Sequence, residues 1–130
     1  MIDSALEDRL VEIAARARGH AVSKRSGFSV GAAIATGDGA LWSGCNVENS
    51  TYGLTVCAER VAIWKALSEG QRKFTAVAVV TGADEPTPPC GACRQILWEF
   101  AGDVPIVSAT TGGKRKRYRL SEIFPEPFDF

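Results

Sequence analysis

The chain has 130 residues, 45% of them hydrophobic, which is enough for one compact domain over residues 1–130 with a single core and too little for two. Fifteen basic residues balance fifteen acidic ones, so there is no whole-molecule attraction to nucleic acid or anionic lipid, and a polyanion would need a local patch. The opening stretch MIDSALEDRLVEIAARARGH is charged throughout and reads as neither a signal peptide nor a membrane span, so the expectation is a cytoplasmic protein with no membrane partner.

Ser4-Ala5-Leu6-Glu7 has the form of a capping box, and Leu6, Leu10, Ile13, Ala14 and Ala17 follow at helical spacing. This predicts an amphipathic helix to about Gly19, packed on a sheet. Phe28 to Thr36 and Leu41 to Val47 read as strands joined at Gly37-Asp38-Gly39 in a hairpin, with Gly31 marking a close backbone approach. The irregular ENSTYGLT leads into CAERVAIWKALSEG, a second helix stopped at Gly70. FTAVAVVTG is a continuous apolar run of strand length, as expected of a strand covered on both faces. Then come a loop, ADEPTPP, and a third helix, CGACRQILWEFAG, with Ile96, Leu97 and Phe100 on one side. VPIVSAT is a strand, TTGGK a turn, RKRYRL a polar edge strand and SEIF a short helix. The order α-β-β-α-β-α-β-β-α implies an α/β fold of three layers, α/β/α, around a mixed sheet of about five strands.

Cys90 and Cys93, in PPCGACRQ, have the spacing of a redox dithiol. Two features favour a metal instead: a proline-rich loop separates the pair from the preceding strand, and Cys57 heads another helix. Helix N-termini favour thiolate over thiol, so two such ends facing each other can hold one Zn²⁺ between Cys57, Cys90 and Cys93. The fourth tetrahedral position separates a catalytic site from a structural one. Cys45, in LWSGCNV, either closes a four-cysteine site or is a small buried hydrophobe in a strand. His20 stands at a helix end, where histidines meet the last carbonyls. Glu59 either complements the helix N-terminus or, two positions past Cys57, serves a metal-activated water as general acid and base.

Cys57-Ala58-Glu59-Arg60 together with Pro89-Cys90-Gly91-Ala92-Cys93-Arg94-Gln95 resembles the active-site signature of the zinc-dependent cytidine deaminases in their three-cysteine form, with Cys57 and Cys90 lying 33 positions apart. The likeness extends to Phe28-Ser29-Val30-Gly31-Ala32-Ala33, Gly44-Cys45-Asn46-Val47-Glu48-Asn49, Tyr52-Gly53-Leu54 and Phe124-Pro125-Glu126-Pro127-Phe128. It implies a cytidine-deaminase-like fold holding one Zn²⁺ per chain on Cys57, Cys90 and Cys93. The reaction it implies is hydrolytic deamination of cytidine and deoxycytidine to uridine and deoxyuridine with release of ammonia, in pyrimidine salvage. Glu59 would move protons between the water, the ring nitrogen N3 and the departing amine. Phe28, Asn46, Glu48, Ala58, Tyr52 and Phe128 would contact the nucleoside, with Asn46 and Glu48 on one face of a strand at the ribose 3′-hydroxyl. Tyr52 and Phe128 would reach a neighbouring subunit's site, in a homotetramer.

Three thiolates and one Zn²⁺ leave a charge of −1, which Arg60 would offset by hydrogen-bonding the sulfurs, with Gln95 behind the ligands or packing its helix. Other readings of the same residues are a deaminase of another aminopyrimidine, such as blasticidin S, and a non-catalytic zinc-stabilised binding module. One segment departs from the family pattern: Ser23-Lys24-Arg25-Ser26-Gly27 stands where many relatives have Pro-Tyr-Ser, so two cations replace an apolar and an aromatic residue at an edge of the site. The run Lys114-Arg115-Lys116-Arg117-Tyr118-Arg119 has the charge to meet phosphates, but alternation in a protected edge strand accounts for it more simply, and no nucleic-acid partner is expected.

Overall fold

A computed structural model describes residues 1–129. The first helix, α1 (Ser4–Arg18), is capped by Asp3, whose carboxylate accepts hydrogen bonds from the backbone N–H groups of Ala5 and Leu6, both at 3.1 Å. This corrects the capping box read at Ser4. Glu7, the acidic member of that box, is drawn instead into ion pairs with Arg115 and Arg117, more than a hundred positions away in the chain. After α1 come β1 (Val30–Thr36), β2 (Leu41–Cys45), a single 3₁₀ turn (Tyr52–Leu54), α2 (Ala58–Ser68), β3 (Phe74–Thr81), α3 (Gly91–Ala101), β4 (Pro105–Thr110), β5 (Arg115–Arg119) and α4 (Leu120–Ile123).

The strands form one mixed sheet in the order β2-β1-β3-β4-β5, parallel between β3 and β4 and antiparallel elsewhere, as the element order implied. Strand β3 is covered on both faces. Ala76, Ala78 and Val80 point to the α1 side, with Leu10 and Ala14, while Val77 and Val79 point to the side of α2 and α3, with Ile63 and Leu97. Within α3, Cys93, Leu97 and Ala101 recur at intervals of one turn toward the interior, which leaves Phe100 at the surface, 39% exposed, and corrects its expected place beside Ile96 and Leu97.

Two glycines set how closely the helices approach. A Cβ on Gly31 would lie 1.9 Å from the Ala14 carbonyl oxygen, so the close approach expected there is that of α1. A Cβ on Gly44 would lie 2.5 Å from the Ala58 carbonyl oxygen and 2.6 Å from the Ala62 nitrogen. Any side chain at Gly44 would therefore push the first turn of α2 off the sheet.

The strands β1 and β2 are shorter than their apolar runs. Phe28 precedes β1, and Asn46 and Glu48 lie beyond the end of β2, not on it. The ladder stops there because the Asn46 side chain takes its place: Nδ2 donates to the Phe28 carbonyl (2.8 Å) and Oδ1 accepts from the Val30 N–H (2.9 Å).

Strand β5 is an edge, as its polarity predicted, and its alternation is visible. Tyr118 turns inward and is buried, whereas Arg117 meets Glu7 through two parallel hydrogen bonds of 2.7 Å and Arg115 meets Glu7 at 2.8 Å and Asp8 at 2.7 Å. Lys114 pairs with Glu85 and Arg119 with Asp103, so most of the basic run is answered by carboxylates of the same chain. The Arg117 guanidinium, with help from Arg115, holds the Glu7 carboxyl below its usual value of 4.5 against the opposing effect of burial. A depressed carboxyl contributes stability that is present above the unfolded-state value and is lost as pH falls through the folded-state one. Glu7→Gln is therefore expected to lower unfolding stability by about 1–3 kcal/mol near neutral pH, with the difference shrinking as the pH is taken below 4.5, as measured by urea unfolding of both proteins.

Candidate metal centre and its cavity

Cys57 and Cys90 occupy equivalent places in the fold: each is the residue before the first turn of its helix, α2 and α3 respectively, in extended backbone. Cys93 follows one turn into α3 and is buried. The three sulfurs lie within 4.8 Å of one another, and Cys57 Sγ and Cys90 Sγ are 3.8 Å apart. All are free thiols. Among the described residues no further histidine, cysteine or carboxylate joins the cluster; Cys45 sits half-buried at the end of β2 and His20 is exposed beyond α1.

The thiols perturb one another. Cys57 is drawn down to about 5, first by the hydrogen bond from the Cys93 thiol and then, against the cost of burial, by Arg60 and Cys90. Cys93 is pushed up, because its proton is shared with Cys57 and because it is buried. Arg60, one turn along α2 from Cys57, donates from Nη2 to its sulfur at 3.2 Å, and that contact raises the arginine's own value. The Arg60 guanidinium also stands 5.9 Å from the centre of the Trp64 ring, and its Nε is buried without a hydrogen-bond partner among the described residues. Three converging sulfurs, a cation beside them and two helix N-termini suit a thiophilic divalent metal, which binds thiolate and is offset by positive charge.

A cavity of about 310 Å³ opens beside the sulfurs, at the end of the sheet where β1 begins and β3 ends. Such a volume lies at the small end of the range for small-molecule sites. Cys57, Ala58, Glu59 and Cys90 form one wall, Phe28, Asn46 and Glu48 another, and Thr81, Thr87 and Pro88 a third. Glu59 is 5% exposed, and burial raises its carboxyl to about 7, the Cys57 charge adding to the effect. Ala58 is the first helical residue of α2, where backbone N–H groups have no intrahelical acceptor.

The structure thus brings Phe28, Asn46, Glu48, Ala58 and Glu59 to the cavity that Cys57 and Cys90 also line, with Cys93 behind them. Tyr52 and Phe128 do not line it; they are 72% and 67% exposed. Tyr52 borders an adjoining hollow with Arg25, Ser26, Glu48 and Thr55, and Arg25 lies 5.7 Å from its ring centre. Gln95 donates to the Phe128 carbonyl at 2.9 Å, tying the C-terminal segment to α3 and not to the sulfurs.

Two residues to which the motifs assigned no role also matter to the geometry. Arg94 donates to the carbonyls of Pro89 (2.7 Å) and Ile123 (2.5 Å), bracing the first turn of α3 against α4. Ser26 bonds Glu48. The position of Arg94 between Cys93 and Gln95 was a usable signal, whereas Ser26 meets a residue 22 positions away, a pairing that no local spacing marks.

Residues 4–109 match a family model described as the cytidine and deoxycytidylate deaminase zinc-binding region. The chain is 41% identical over 122 residues to a cytidine deaminase of Sporosarcina psychrophila, covering 93% of this chain and 90% of that one. It is 43% identical over 120 residues to a cytidine deaminase of Halalkalibacterium halodurans, covering 92% and 91%. The crystal structure of cytidine deaminase from Burkholderia pseudomallei superposes with a TM-score of 0.90 at 41% identity, covering 93% of this chain and 98% of that one. Among the described residues no helix is long and apolar enough to cross a membrane.

Because the cluster comprises three sulfurs and excludes Cys45, Cys45→Ala is expected to bind zinc as tightly as the parent in a competitive chelator titration. Cys93→Ala should weaken it by more than about 100-fold, since even groups that merely support metal ligands are worth about 10- to 100-fold. Equal losses in the two variants would place Cys45 among the ligands.

Proposed function

The chain belongs to the zinc-binding cytidine and deoxycytidylate deaminase family, and from that premise we propose how its cavity carries out the family's chemistry. The protein is a cytidine deaminase, a hydrolase that converts cytidine and deoxycytidine to uridine and deoxyuridine with release of ammonia, a step of pyrimidine salvage. The observation that carries the assignment of roles is the buried Glu59 carboxyl in the same cavity wall as two of the three clustered thiols.

Cys57, Cys90 and Cys93 would hold one Zn²⁺ as thiolates. When bound, zinc supplies a Lewis acid that lowers the pKa of water to about neutral. Arg60, already donating to Cys57 Sγ, would offset the surplus negative charge of three thiolates. Glu59 is the proton carrier. A carboxyl raised to about 7 takes a proton and returns it at neutral pH with little penalty in either direction. It would accept one proton from the attacking water and pass it to ring N3, then take the second from the hydroxyl that the attack leaves on C4 and deliver it to the departing amine.

The base would lie against Phe28 and take a hydrogen bond at its carbonyl oxygen from the Ala58 N–H. Asn46 spends its amide on the backbone of residues 28 and 30, so its part is to hold the Phe28 wall as well as to face the sugar. Glu48 would receive the ribose 3′-hydroxyl, which requires that hydroxyl to be unesterified and so favours a free nucleoside over a polynucleotide. The internal pairing of Lys114, Arg115, Arg117 and Arg119 supports the absence of a nucleic-acid partner. Tyr52 and Phe128, exposed and outside the lining of their own chain's cavity, would complete a neighbour's in a cytoplasmic homotetramer.

Loss of cytidine absorbance on mixing with zinc-loaded protein, with blasticidin S run in parallel, tests the substrate. Glu59→Gln should keep zinc and fold yet lose at least ~100-fold in kcat, the lower range for a positioned acid-base group. Near-parental turnover in that variant would remove Glu59 from the mechanism.

A further inference from the structure

Ser26, directly after the two cations that depart from the family pattern, is where the cavity's two outer groups are joined. Ser26 N–H and Arg25 N–H both donate to Glu48 Oε1, at 3.0 and 3.1 Å, and the Ser26 hydroxyl bonds Glu48 Oε2 at 2.5 Å. The same hydroxyl oxygen accepts the Phe28 N–H at 3.0 Å. With an N–H directed at its oxygen, the hydroxyl's single proton is committed to the carboxylate. One oxygen atom therefore ties the aromatic wall of the cavity to its carboxylate.

The loop is built to hold that geometry. Gly27 takes a left-handed φ of +71°, which carries the chain from Ser26 to Phe28 in a tight bend, and its N–H returns to the Ser23 carbonyl at 2.7 Å. Ser23 and Ser29 hydroxyls meet at 2.7 Å across the base of the loop. Arg25, one of the two cations replacing the usual residues, points its guanidinium to Ser50 Oγ (2.8 Å) and the Tyr52 ring, so it braces the loop from outside and does not face the cavity.

We propose that Ser26 is a positioning residue that sets Glu48 and Phe28 as one rigid unit and so determines how strongly the enzyme depends on the nucleoside 3′-hydroxyl. The inference rests on the reading that Glu48 receives that hydroxyl. Three donors occupy three of the roughly four acceptor positions of a carboxylate and leave one, on Oε2, in a fixed direction. Without the Ser26 hydroxyl, Oε2 is free to rotate into water, and the Phe28 N–H loses its acceptor. Sugar and base contacts then have to be ordered by the substrate itself, which raises KM and leaves the proton chemistry at Glu59 untouched.

The test compares kcat and KM for cytidine and 3′-deoxycytidine in the parent, Ser26→Ala and Ser26→Thr, with zinc content and thermal midpoint as folding controls. The parent is expected to prefer cytidine by about tenfold or more in kcat/KM, as for loss of a hydrogen bond to a charged group. Ser26→Ala should raise KM for cytidine by about 5- to 10-fold, keep kcat within about threefold, and bring the preference for the 3′-hydroxyl toward unity. Ser26→Thr, which keeps the hydroxyl, should return the preference toward the parent's. An alanine variant that retains the parent's preference, or loses kcat equally for both substrates, overturns the proposal, as does a threonine variant no better than alanine. A parent indifferent to the 3′-hydroxyl would instead fail the Glu48 reading, and the proposal with it, before any variant is compared.

Discussion

Three sulfurs can lie within 4.8 Å of one another only if the first turns of α2 and α3 are brought end to end, and the open end of the sheet is organised around that meeting. Each helix start offers unpaired N–H groups and the partial positive charge that steadies thiolates. Gly44 lets α2 settle against β2 with Ala58 and Ala62 in backbone contact distance, and Arg94 fixes α3 from the other side through Pro89 and Ile123. Neither contact involves the side chains of Cys57, Glu59, Cys90 or Cys93, yet both set where those four stand. The parallel pairing of β3 with β4 requires a crossover, which α3 provides, and the cavity forms where β3 ends and that crossover begins.

The same convergence sets the electrostatics. A buried carboxyl in the first turn of α2 would be costly as a full charge, and burial raises it to about 7 in the company of the Cys57 thiolate. Arg60 supplies the compensating charge at 3.2 Å from that sulfur and is itself backed by Trp64. One sulfur of the cluster, the buried carboxyl and the cation thus come from four consecutive residues, Cys57 to Arg60, at one helix start. The opposite wall of the cavity is assembled differently. Phe28, Asn46 and Glu48 lie just outside the ladder, held by side-chain to backbone bonds that replace it.

That contrast explains what could be read in advance. The helix starts at Cys57 and Cys90, the doubly covered β3, the polar edge strand β5 and the mixed five-stranded sheet were legible because each depends on local spacing or periodicity. The place of Cys57, Ala58, Glu59 and Arg60 on one helix turn was legible for the same reason. What was not legible depends on partners distant in sequence. Ser4-Ala5-Leu6-Glu7 satisfies a capping pattern, but Asp3 caps equally well, and two arginines of β5 compete for Glu7. The strand ends at residues 28 and 46 are decided by the Asn46 amide, and the grip of Ser26 on Glu48 leaves no periodic trace. Phe100 fits an apolar face by composition, yet the Cys93, Leu97 and Ala101 stripe faces the core and turns it outward.

If Cys57, Cys90 and Cys93 alone among the protein's side chains hold the zinc, the metal stays accessible to water beside Glu59. X-ray absorption of the zinc-loaded parent protein measures this directly, because sulfur and oxygen neighbours lie at distinguishable distances of about 2.3 and 2.0–2.2 Å. The expected shell is three sulfurs and one lighter atom. Four sulfurs around each zinc would contradict it, since Cys45 would then close the site and leave Glu59 no metal-activated water to serve.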